Sequence, residues 1–70
     1  MEVDIVVETR GRIVPIEVKL SATPRPAMAA GILALRQALG EKVETGYVIH
    51  PGKIQLPLAP GVQALPFAEL

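Results

Sequence analysis

The strongest constraint on the fold is an alternation at the start of the chain. In Glu2-Val3-Asp4-Ile5-Val6-Val7-Glu8 every odd position is apolar and three of the four even positions are acidic. Period two marks a strand with one buried face. Thr9-Arg10-Gly11-Arg12 then supplies a turn, and Ile13-Val14-Pro15-Ile16-Glu17-Val18-Lys19-Leu20 a second β-branched run, so the pattern predicts a hairpin. With Arg10-Gly11 as a two-residue loop, Val3 faces Val18, Ile5 faces Ile16 and Val7 faces Val14, six β-branched residues on one side. A slip of one residue would set charges among aliphatics, which fixes the register. The other side pairs Glu2 with Lys19, Asp4 with Glu17, Val6 with Pro15 and Glu8 with Ile13. These are non-hydrogen-bonded pairs, with Cα atoms about 4.5 Å apart. Arg is not a favoured first residue where φ must be positive, which leaves a longer loop as the alternative.

Pro26, after Ser21-Ala22-Thr23-Pro24-Arg25, keeps Arg25 extended and suits the first position of a helix. A helix is expected from Pro26 to Leu39, with Met28, Ile32, Leu35 and Leu39 as its core stripe and Gly40 as its C-cap. Ala29, Ala30 and Leu33 lie off that stripe, so the helix is expected to be covered on more than one side. Val43 to His50 reads as a third strand, His50-Pro51-Gly52-Lys53 as a turn and Ile54-Gln55-Leu56 as a fourth strand; Pro57, Pro60 and Gly61 break the pattern before a short Val62-Gln63-Ala64-Leu65 segment. The order strand, strand, helix, strand, strand predicts a mixed α/β sheet, with the third strand parallel to the second.

The chain has 70 residues, so residues 1–70 are read as a single small domain. A chain this short buries only ~60% of its unfolded surface, and natural proteins of this size often add disulfides, a metal or a partner subunit. With no cysteine it has neither a disulfide scaffold nor a thiolate zinc site, and one histidine makes no imidazole cage. Two aromatic residues, Tyr47 and Phe67, are too few for a base-stacking platform. Seven basic residues balance seven acidic ones, which gives no sign of strong whole-chain attraction to nucleic acid. No apolar run is long enough to span a bilayer and the N-terminus has no secretory pattern, so a cytoplasmic protein without membrane partners is expected.

The acidic pair carries the chemistry. Directly opposed like charges destabilise a hairpin unless something lies between them, and a divalent cation is one such thing. Mg²⁺ commonly takes one or two carboxylates, with waters and substrate phosphate completing its shell. Asp4 and Glu17 supply two carboxylates. Lys19 projects to the same face, where an ammonium orients a water nucleophile or stabilises charge growing on a phosphate. Glu2, facing Lys19, either holds that lysine or binds a second ion. The plain alternative for all four is a solvated strand face. His50, before Pro-Gly, reads as a turn residue. Of the dispersed basic residues, Arg10 and Arg12 at the hairpin tip are the candidates for nucleic-acid contact. No Gly-x-x-x-x-Gly-Lys-Ser/Thr loop occurs, so no ATP site is expected.

Val3-Asp4, twelve residues, then Glu17-Val18-Lys19 resembles the PD-(D/E)xK signature of restriction-endonuclease-like nucleases, with Val3 in place of the proline. Glu2 to Glu8, Ile16 to Lys19, the Leu33 to Gly40 stretch, Gly46-Tyr47-Val48-Ile49-His50 and Ala64-Leu65-Pro66 are together similar to the C-terminal end of a domain of unknown function. In that family the domain follows an AAA-type ATPase module in bacterial and archaeal proteins.

The resemblance implies a truncated restriction-endonuclease-like sheet. It also implies Asp4, Glu17 and the Val18 carbonyl as ligands of Mg²⁺ or Mn²⁺, Lys19 as the catalytic lysine, and hydrolysis of a DNA phosphodiester. The ATPase and the first core helix and strand of the fold have no counterpart in this sequence, which predicts weakened or lost hydrolysis. The competing expectation is a non-catalytic interaction or oligomerisation module. A homodimer or other homo-oligomer is expected through the outer edge of the first strand or through the Ala29-Ala30-Leu33 face.

Overall fold

The computed structural model describes residues 4–69. The predicted hairpin is present: β1 (Ile5–Thr9) pairs antiparallel with β2 (Arg12–Val18). Ile5 lies opposite Ile16, Val6 opposite Pro15, Val7 opposite Val14 and Glu8 opposite Ile13, the register expected from the alternation. The loop is Arg10-Gly11, with φ of 54° and 76°. Positive φ at both positions marks the type I′ turn, whose twist matches that of the strands. Arg10 is the only non-glycine residue with positive φ among those described.

The chain then enters a 3₁₀ turn, Pro26–Ala29, that leads into α1 (Ala30–Leu39). Arg25 is extended, as a residue before proline should be. Gly40 ends α1 with φ of 67° and donates its N–H to the Arg36 carbonyl. Three further strands follow: β3 (Gly46–His50), β4 (Leu56–Ala59) and β5 (Val62–Pro66). The sheet is mixed and five-stranded in the order β1-β2-β3-β5-β4. As predicted, β3 runs parallel to β2, with Ile16 beside Tyr47 and Val18 beside Ile49.

Three expectations about the second half change. Val62 to Leu65 is a full strand, parallel to β3 along its whole length. Pro60 and Gly61, which break the sequence pattern, form the turn that returns β4 to β5, with Gly61 at φ of 77°. The fourth strand begins at Leu56, and its proline, Pro57, lies on the sheet edge where a missing N–H is tolerated. The third strand begins at Gly46, with Val43 making only an isolated bridge to Ile13. Odd-numbered residues of β2 point their backbone groups toward β3: the Ile13 carbonyl accepts from Glu44 N–H at 2.7 Å, and Lys19 N–H donates to the Ile49 carbonyl at 2.8 Å. Pro15 falls between them with no N–H to give, and the ladder resumes only at Ile16.

The largest change concerns which side of the sheet is buried. A Cβ on Gly46 would lie 2.6 Å from Ile32 Cγ2 and 3.0 Å from Pro15 Cγ, so Pro15 and Gly46 face α1. The core on that side is Ala29, Ile32, Val48, Leu58, Val62 and Ala64, with Met28, Leu56 and Ala59 packed against it. The β-branched set of the hairpin points the other way. Val3 lies outside the described residues; Ile5, Val7 and Val18 are 48%, 44% and 39% exposed, and Val14 and Ile16 are half-buried. α1 therefore covers the side that carries Glu17. The core stripe is likewise shifted: Ala29 and Ile32 are fully buried, whereas Leu39 and Leu33 are exposed. Of the Ala29-Ala30-Leu33 face only Ala29 is taken into the core, while Ala30 and Leu33 are exposed, and α1 is covered on one side only among the described residues.

Candidate metal site

Glu17 and Lys19 sit two residues apart on β2 and share the face beneath the helix. The Glu17 side chain is almost wholly buried, with the Lys19 ammonium 3.6 Å from Oε1 and about one-third exposed. A buried carboxylate carries a large desolvation cost unless charge or hydrogen bonds compensate. Lys19 supplies part of that compensation. The two side chains line a cleft of about 410 Å³ whose other wall is Ala27, Met28, Ala30, Gly31 and Ala34. That wall is built almost entirely of small side chains, which keeps the cleft open between β2 and the helix.

Asp4 reaches this region from the other side. Its Oδ2 accepts the Val18 N–H at 2.8 Å, so the carboxylate rests on the peptide that links Glu17 to Val18. Val18 lies two residues beyond Ile16, whose pairing with Ile5 ends the β1–β2 ladder among the described residues, and the aspartate occupies the Val18 donor. An extended residue turns its N–H and C=O to the same side, which puts the Val18 carbonyl on the Asp4 side as well. Glu2 lies outside the described residues. Among the described residues, no three of His, Cys, Asp and Glu come together as a metal-holding group. The donors at hand are two carboxylates and one carbonyl. All are oxygens, a hard set that suits Mg²⁺ or Mn²⁺ with water and phosphate oxygens filling the remaining positions.

Arg10 and Arg12 occupy the opposite end of the hairpin. Arg12 is six residues from Val18 along β2, roughly 20 Å at strand rise. Its guanidinium is ion-paired to Glu44 and donates from Nη2 to the Glu41 carbonyl at 2.8 Å. It fastens the hairpin to the segment between α1 and β3, and a phosphate would have to compete with Glu44 for it.

Arg36, one of the dispersed basic residues, and His50, a turn residue by sequence, prove structural. Arg36 donates from Nη2 to the carbonyls of Glu44 at 2.8 Å and Gly61 at 3.0 Å, and from Nη1 to that of Pro60 at 3.3 Å. His50 is fully buried. Its Nδ1 accepts the Gly52 N–H at 3.1 Å, so the ring proton is on Nε2, which donates to the Ile54 carbonyl at 2.8 Å. Both ring nitrogens are engaged by backbone, and His50 holds the turn after β3. The His-Pro-Gly sequence hinted at this role; nothing local signalled Arg36, whose partners lie up to 25 residues away.

A family model described as a domain of unknown function, DUF4143, matches residues 1–70. No curated protein and no solved structure matches the chain.

Proposed function

Since the chain belongs to the DUF4143 family of domains of unknown function, we propose a function from the site itself: a nuclease-like domain whose β2 cleft holds a divalent cation and acts on a phosphodiester of DNA. One observation carries the reading. Glu17 is buried in an open cleft beside Lys19, while Asp4 is fixed to the adjoining peptide. A strand face serving solubility alone would leave such a carboxylate in water.

Asp4, Glu17 and the Val18 carbonyl would hold Mg²⁺ or Mn²⁺. The ion, when bound, supplies Lewis acidity toward a phosphoryl oxygen. Lys19 has two roles at this position. Its ammonium offsets the Glu17 charge, and its exposed end is placed to donate to a phosphate oxygen or to orient a water. The small-residue wall leaves room for a phosphate at the cleft mouth. The resemblance of Val3-Asp4 and Glu17-Val18-Lys19 to the PD-(D/E)xK signature supports the same assignment.

The test is calorimetric titration of the full chain with Mn²⁺, alongside nicking of supercoiled DNA. The wild type is expected to bind the ion and nick. Glu17→Gln should lose ion binding, and Lys19→Ala should keep it while nicking falls by roughly 10²-fold or more. Failure of the wild type to bind Mn²⁺, or unchanged nicking in both variants, overturns the assignment. A second reading, a non-catalytic interaction module, is favoured by a different observation: all of β1 is exposed.

A further inference from the structure

The sheet has two edges, and they differ sharply. At one, β4 carries Pro57 and a register shift between Pro57 and Ala59, devices that block further pairing. At the other, β1 reads Ile5-Val6-Val7-Glu8-Thr9, with no proline, glycine or lysine and no irregularity in its pairing with β2. Ile5, Val6 and Val7 are 48%, 51% and 44% exposed, three consecutive apolar residues on a strand with one neighbour among the described residues. Even-numbered residues of β2 point their backbone groups toward β1, as the Val18 N–H to Asp4 confirms. In the two-residue hairpin Thr9 and Arg12 are the first hydrogen-bonded pair, so Ile5 and Val7 also bond inward. Val6 and Glu8 therefore turn their N–H and C=O groups outward.

We propose that β1 is a dimerisation edge, and that two copies of the chain pair β1 to β1, antiparallel about a two-fold axis at Val7. The charges select this register. An axis at Val6 would set Asp4 against the second copy's Glu8, and an axis at Glu8 would set the two Glu8 side chains together. An axis at Ile5 overlaps too little of the strand. With the axis at Val7, the outward groups of Val6 meet those of the second copy's Glu8, Val7 packs on Val7, and Ile5 lies opposite Thr9. Asp4 comes toward the second copy's Arg10. No like charges face each other, and two five-stranded sheets become one. The inference names a partner for the exposed β1 edge and goes beyond the metal-site reading, because the edge argument uses no property of the Glu17 cleft.

The chain has no native cysteine, so single cysteines report the register cleanly. Under mild oxidation Val7→Cys should cross-link, because a non-hydrogen-bonded pair puts Cα atoms about 4.5 Å apart, within disulfide reach. Ile5→Cys should not, its symmetry mate lying roughly 13 Å along the strand. By light scattering the wild type should be a dimer at micromolar concentration. Val6→Glu, set against Glu8, should be a monomer, and Val6→Lys, set against the same glutamate, should stay dimeric. A monomeric wild type, a dimer indifferent to Val6→Glu, or cross-linking of Ile5→Cys in place of Val7→Cys overturns the proposal.

Discussion

The Arg36 guanidinium donates to the Gly61 carbonyl at 3.0 Å, and it is the missing side chain of that glycine that admits it. A Cβ on Gly61 would lie 2.8–2.9 Å from the guanidinium atoms, and φ there is +77°. One side chain thus ties the end of α1 to the β4–β5 turn and to Glu44. Arg36→Met should lower stability by about 2 kcal/mol, the scale of charge-assisted hydrogen bonds lost without replacement. Arg36→Lys should recover only part, since one ammonium cannot span three carbonyls. Urea unfolding midpoints decide it; an unchanged midpoint in Arg36→Met would show that the clamp carries no stability.

Replacing His50 tests a second internal tie. The ring is fully buried and satisfies Gly52 N–H and the Ile54 carbonyl. His50→Phe keeps the volume and strands both groups, with an expected loss on the order of 3 kcal/mol. The readout is again the urea midpoint. An effect below that of an exposed substitution such as Gln37→Ala would contradict the structural role.

Gly46 is the point of closest approach between β3 and α1. Gly46→Ala drives a methyl to 2.6 Å from Ile32 Cγ2, an overpacking that costs about 1–3 kcal/mol. Ile32→Ala opens that space but empties the core. The double variant should therefore be less destabilised than the sum of the two, and strict additivity would mean that the residues do not press on one another.

At the hairpin tip the chain accepts a strained residue. Arg10 holds φ of 54° in a turn that prefers asparagine there. Arg10→Asn should stabilise by about 1 kcal/mol, or roughly 4–8 °C in Tm for a domain of this size. A lowered Tm would show that the arginine side chain contributes more than its backbone costs.

The hairpin was legible because a strict period of two leaves one register, although the sequence left the loop length open at Arg10, whose positive φ the structure shows. Glu17 and Lys19 were legible as neighbours for the same reason: residues two apart in a strand share a face. What the local pattern could not carry was the choice of face. The β-branched set reads as the buried side, yet α1 packs on the side where Gly46 and Ala64 allow a helix close and Pro15 offers its ring. β5 was hidden because its strongest partner, β3, lies about a dozen or more residues earlier in the chain and pairs in parallel, which local alternation does not encode. Arg36 reads as solvated charge, and Arg12 as a nucleic-acid contact, because their acceptors are distant in sequence.

The central place of β3 also orders events in time. The hairpin closes over two residues and forms readily, but a lone two-stranded ribbon is marginal in water, and β1 gains little from burial afterwards. The pairings of β3 with β2 and β5 need α1 and the β4–β5 turn already delivered, and such long closures are slow. Commitment to the native state therefore falls to the pairings of β3, and β1, though part of the first element to form, is the strand with the least burial to hold it.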